Sequence, residues 1–200
     1  MIRVTPQPEP SGFDTSVRQR GNAFLAANPS DKTLPKYWKI ATKDLYAAYK
    51  GICAYTCMYF PGSGTLDHFL PKSLYRALAY EWSNYRLAIP QVNSYKGENI
   101  DIIDPFIVED GWFVIEFPSC LIQPAPKLPQ IITEQIKRTV KILRLSIDDN
   151  LVQDRCNIVL DFLDAHISLD FLSRRYPFLA AEVERQGGKE ALRKIFKRRS

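Results

Sequence analysis

The sequence predicts an α+β fold, with a small β-containing centre held between an N-terminal helical arm and a C-terminal helical region. Three observations point there. Apolar residues recur at spacings of three and four on both sides of the centre. The centre itself consists of short β-prone runs closed by proline and glycine clusters. Hydrophobic residues make up 46% of the 200 residues and aromatics 12%, enough to bury a core without disulfides.

Residues 1–16, rich in Pro, Ser, Thr and Gly, read as a loose arm. From Pro35 to Lys50 a helix is expected, because Trp38, Ala41, Leu45, Ala48 and Tyr49 share one face and Gly51 follows as a stop. The run from Ile52 to Phe60 has strand composition, and Pro61-Gly62-Ser63-Gly64 closes it as a turn. Thr65 to Phe69 reads as a second strand ended by Pro71, and Trp112 to Phe117 as a third. Pro118, Pro124, Pro126 and Pro129 mark a long loop. Helices are expected where Ile132, Ile136, Val140, Leu143 and Ile147 align, and again from Leu151 to Ile167 after the Asp148-Asp149-Asn150 break. This gives an arm and helix over 1–50, a central core over 51–100, and a strand with helices and a basic tail over 101–200.

No apolar run approaches the roughly 18 residues of a membrane helix, and Pro6, Pro8 and Pro10 stand where a signal peptide would place its apolar stretch. A soluble, cytoplasmic protein without a membrane partner is expected. The charge is uneven. Six of the 27 Lys and Arg and one of the 22 Asp and Glu fall in 189–200, so that segment carries the entire net charge of +5. Such a run, with Arg193, Lys194, Lys197, Arg198 and Arg199, suits phosphate backbones. It equally suits a solvated C-terminus, and Ile195 and Phe196 could instead dock it.

The chemistry gathers in Asp67-His68-Phe69-Leu70-Pro71-Lys72-Ser73, Trp82-Ser83-Asn84 and Asn93-Ser94-Tyr95-Lys96-Gly97. Asp67 offers a carboxylate to an oxygen-seeking ion such as Mg²⁺, and Asn93 an amide oxygen of the same kind. His68 is the one side chain here able to take a proton near neutral pH. Lys72 and Lys96 are point charges suited to phosphate, and Lys96 lies one helical turn beyond Asn93. That inventory matches metal-assisted phosphodiester hydrolysis.

The order and spacing of these groups resembles the HNH endonucleases, whose ββα-metal core runs strand, turn, strand, helix around one divalent ion. Asp67-His68 looks like the pair at the head of that motif, Asn84 like its central Asn, and Asn93 like its final position, with Asn for the His that names the motif. The likeness covers 51–97. A looser one, through Asp104-Pro105-Phe106 and Thr139 to Arg155, is similar to the PtuB-like HNH nuclease subunits of retron and Septu anti-phage systems, the latter acting beside an ATPase. The resemblance implies that His68 activates water and that Asn84 pins the loop carrying it. It further implies that Asp67 and Asn93 hold Mg²⁺ (or Mn²⁺), that DNA is the substrate, and that an ATPase is the protein partner.

One feature departs from the family. Many relatives carry two Cys-x-x-Cys knuckles for a structural zinc; here Ile89 and Val92 stand at the second. Cys53 and Cys57 alone do not fill a tetrahedral shell, so zinc is not expected and the cysteines read as reduced. Trp82 reads as core packing and His166 as structural, within a helical pattern. Two alternatives stay open: a catalytically degenerate HNH-like subunit that binds nucleic acid or acts as a scaffold, and an RNA-cleaving HNH effector.

Overall fold

A computed structural model describes residues 1–197. Arg198 and Arg199, both expected to meet phosphate, lie outside the described residues. The architecture is α+β, with helices and two separate two-stranded antiparallel sheets among the described residues. The chain divides into two compact units, one of residues 5–54 and 60–100, the other of residues 1–4, 55–59 and 101 onward.

The first unit opens with a π-helical turn, Asp14–Arg18, that runs into α1 (Gln19–Ala27). The arm is therefore ordered earlier than its composition suggests, because Phe13 and Val17 are buried. Gly21 lets α1 approach the Tyr80 ring; a Cβ there would lie 2.1 Å from it. The expected helix over 35–50 is present as a 3₁₀ turn, Tyr37–Ala41, continued by α2 (Thr42–Ala48). Trp38, Ala41 and Leu45 face inward along it, as their spacing requires.

The run 52–60 does not form the expected strand. It folds as turns, where its apolar side chains are buried without a continuous ladder. Strand β1 (Thr65–His68) follows the Pro61–Gly64 turn and pairs with β2 (Tyr85–Ala88), setting Asp67 opposite Arg86 and His68 opposite Tyr85. Gly64 has φ +63°, and a Cβ on it would press within 2.6 Å of the Phe60 ring, so the turn needs glycine. Helix α3 (Pro90–Lys96) starts with Pro90 in its first turn, where the missing N–H costs nothing, and stops at Gly97, φ +51°. The order is strand, loop, strand, helix.

In the second unit β3 (Phe113–Glu116) pairs with β4 (Leu121–Pro124). Proline content alone suggested a loop through 121–124; Pro124 is tolerated at the strand's last position. Helices α4 (Gln130–Ile142) and α5 (Asp149–Leu163) fall where the periodicity placed them but end earlier than expected, leaving the exposed Ile147 and the half-buried Ile167 in the turns that follow; α5 is capped by Asp148, which accepts from Leu151 N–H at 3.1 Å. Then come α6 (Leu169–Arg175), α7 (Pro177–Arg185) and α8 (Gly188–Ile195). His166 falls in the turn after α5 rather than in a helix, beside Asp161. The basic tail begins as α8 and is docked: Leu192 is fully buried, Arg193 donates to the Leu163 carbonyl at 3.0 Å, and the Phe196 ring lies 5.8 Å from that of Phe117. No helix among the described residues is long and apolar enough to cross a membrane.

Candidate active site

Strand β1 ends in Asp67-His68, and α3 carries Asn93 one turn before Lys96. These elements meet at a cleft of about 150 Å³ lined by Asp67, His68, Asn93, Lys72, Trp38 and Glu98. Three residues separated by up to 26 positions are thereby gathered around one space.

His68 is held with unusual definition. Its Nε2 lies 2.8 Å from the Ala79 carbonyl. A carbonyl can only accept, so Nε2 carries the proton and the lone pair of the neutral ring sits on Nδ1. The Tyr85 hydroxyl donates to the same carbonyl at 2.9 Å. Trp38 and Tyr85 pack edge-on against the imidazole, with ring centroids 4.9 Å and 5.2 Å away. Burial pushes the His68 pKa down to about 4; the Ala79 bond opposes this, and the charges of Lys72 and Lys96 reinforce it. The ring is therefore neutral at neutral pH and a weaker base than the near-neutral histidine expected from the sequence.

Asn84 holds the loop between the strands. Its Oδ1 accepts from the Leu70 N–H at 2.8 Å, and its Nδ2 donates to the carbonyls of Leu70 and Leu78 at 3.0 and 3.1 Å. The Leu78 carbonyl immediately precedes residue 79, so Asn84 fixes the backbone that presents the Ala79 carbonyl to His68. It is a positioning residue and does not line the cleft.

Lys96 departs from expectation. It is fully buried, with Nζ 3.1 Å from Asp67 Oδ1 and 2.9 Å from the His68 carbonyl oxygen. A direct phosphate contact is not open to it; burying an ammonium requires a carboxylate beside it, and Asp67 fills that need. Asn93 donates from Nδ2 to Thr65 Oγ1 at 3.1 Å, so its amide oxygen is the atom left to offer a cation. Lys72 is exposed, with Nζ 5.5 Å from the centroid of the Trp38 ring. Arg193 is committed to Leu163 and Glu190, whereas Lys194 and Lys197 are exposed.

Among the described residues no three His, Cys, Asp or Glu side chains converge as a metal cluster. Of the residues expected to hold the ion, Asp67 offers a carboxylate and Asn93 an amide oxygen, an all-oxygen pair that fits a hard dication retaining water, and Glu98 adds a second carboxylate to the cleft lining. The cysteines have local partners. Cys53 accepts from Ile89 N–H and Cys57 from Ile2 N–H, each at 3.5 Å, while Cys120 and Cys156 both approach the Pro118 carbonyl. Trp82 is buried as expected, its indole N–H donating to the Gln7 carbonyl at 2.8 Å.

Sequence reasoning missed Trp38, Thr65 and Ala79. Trp38 had the spacing of an ordinary core residue, and Ala79 acts through its backbone, so only the fold reveals either. Comparison with models of known protein families gives no match, and comparison with curated proteins gives none.

Proposed function

We propose that the chain is a divalent-metal-dependent HNH-type endonuclease that hydrolyses DNA phosphodiesters, with β1, β2 and α3 as its ββα core. The single observation that carries this reading is the convergence of Asp67, His68 and Asn93 on one cleft, with His68 held by Ala79 in the tautomer of a base. His68 Nδ1 takes a proton from the attacking water as its oxygen approaches phosphorus in line. Asn84 keeps the loop that orients the ring, and Trp38 and Tyr85 restrict its rotation. Lys96 holds the Asp67 carboxylate in place from inside the fold. Asp67 and Asn93 would hold Mg²⁺, which supplies neutralisation of charge on the non-bridging and departing oxygens. General-base catalysis contributes about 10²–10⁴-fold, so positioning and charge neutralisation carry the rest.

The resemblance to PtuB-like subunits extends the proposal: a cytoplasmic nuclease component of an anti-phage defence system, working with an ATPase. A second reading has its own support. The Lys96 ammonium already compensates Asp67, which weakens the pull of that carboxylate on a cation and suits a degenerate, nucleic-acid-binding subunit.

Incubating the protein with plasmid DNA and with total RNA, in Mg²⁺ or in EDTA, separates these readings. Mg²⁺-dependent nicking of DNA supports the proposal. Cleavage of RNA alone moves the substrate to RNA, and binding without cleavage in either supports the degenerate subunit.

A further inference from the structure

A second cleft, of about 390 Å³, adjoins the candidate site. It is lined by Trp38, Lys39, Thr42, Gly64, Thr65, Leu66 and Asn93, and shares Trp38, Leu66 and Asn93 with the first. Its walls combine an aromatic and an aliphatic side chain with two hydroxyls and one cation. That is the chemistry of a nucleoside seat beside a phosphate.

The helix bordering this cleft is charged on one side. Lys36, Lys39 and Lys43 are all exposed. Lys39 and Lys43 lie one turn apart where the 3₁₀ turn (37–41) runs into the α-helix (42–48), and Lys36 immediately precedes that turn. Trp38, Ala41 and Leu45 are the buried residues of the same segment. None of the three lysines forms an ion pair among the described residues. Asp44 on the helix and Glu98 at the first cleft are exposed acidic groups of the same unit. Lys72, whose ammonium lies 5.5 Å from the Trp38 ring centroid, adds a cation to the lining of the first cleft.

We propose that Lys36, Lys39 and Lys43 form the track for the nucleic-acid backbone, and that the second cleft receives the nucleotide next to the scissile phosphate. This rests on the reading of the first cleft as a phosphodiester site, but it makes the N-terminal helix, rather than the basic tail, the main source of affinity. The docking of Arg193 and the burial of Leu192 agree with a tail that already has a structural task.

The test is binding of fluorescein-labelled DNA oligonucleotides, single-stranded and duplex, and of a single-stranded RNA, followed by anisotropy in EDTA across a salt series. The protein is the full chain. Lys36→Glu/Lys39→Glu/Lys43→Glu should weaken binding at least about tenfold and lower the slope of log K against log salt by about 2–3, since each lost phosphate contact removes about 0.7–0.9. Lys39→Glu alone should cost more than Lys36→Glu or Lys43→Glu, because it lines the cleft. A charge-matched variant of the second unit, Lys137→Glu/Arg138→Glu/Lys141→Glu, should lose far less. Wild-type affinity and slope in the first triple variant, or equal losses in both, would overturn the track. So would loss of the slope on Lys194→Glu/Lys197→Glu instead, which returns binding to the tail. Because the readout is binding without metal, a track that binds but a protein that never cleaves leaves this inference standing and removes the nuclease reading. Cleavage undisturbed by the triple variant at sub-saturating DNA does the reverse.

Discussion

Lys96 Nζ and Asp67 Oδ1 lie 3.1 Å apart inside the protein, and neither residue is more than 4% exposed. The pair ties the last turn of α3 to the end of β1, the two elements that supply the candidate metal donors. Lys96 also donates to the His68 carbonyl, so one ammonium steadies both members of the Asp-His pair.

Removing Lys96 takes from the buried Asp67 carboxylate the ammonium 3.1 Å away. Lys96→Met should lower the unfolding free energy by about 3–5 kcal/mol, whereas Lys96→Met with Asp67→Asn should cost clearly less than Lys96→Met alone. Chemical denaturation measures both. Loss below about 1 kcal/mol in the single variant would show that Asp67 does not depend on Lys96.

Asn84 fills three hydrogen bonds with loop backbone. Asn84→Ala leaves two carbonyls and one N–H to find other partners, so a loss of about 2–3 kcal/mol is expected. Hydrogen exchange at the Leu70 amide should accelerate at the same time. Unchanged protection there would separate Asn84 from the loop.

The His68 pKa, pushed down to about 4 mainly by burial, sets a pH dependence. The unfolded ring titrates near 6.5 and the folded ring lower, so its contribution to stability is whole above about 6.5 and is lost as pH falls through 4. In EDTA, wild type should therefore lose about 3 kcal/mol more than His68→Gln between pH 7 and 4, by the linkage of about 1.4 kcal/mol per pH unit. Parallel stability curves for the two proteins would show that the ring is hydrated in the folded state.

The C-terminal tail should behave as structure. Leu192 is fully buried, so Leu192→Ala should cost about 2–5 kcal/mol. Thermal or chemical denaturation reads it; a cost within 0.5 kcal/mol, the size of an ordinary surface change, would restore the tail as a solvated arm.

Much of the fold was legible where local pattern and burial agree. Strand β1 is short but bounded by Pro61–Gly64 and Pro71, and α4 and α5 have long apolar periods with a capping Asp148. Legibility failed where tertiary context decides. Residues 52–60 have strand composition, yet satisfy their burial as turns. All four residues of β2 are buried, so the strand lacks the alternation that marks a half-exposed one. Asp67, His68 and Asn93, singled out by their resemblance to the HNH motif, line one cleft. The burial of Lys96 was not legible, since spacing assigns a face of α3 but not what covers it. Ala79 left no trace, because a carbonyl carries no side-chain signature.

A single-turnover assay with Mg²⁺ on a DNA substrate shows whether His68 acts as the base. His68→Ala should lower the rate by at least about 10² while binding of the same DNA in EDTA stays near wild type. A His68→Ala protein that is folded, binds DNA and cleaves at the wild-type rate would contradict the account.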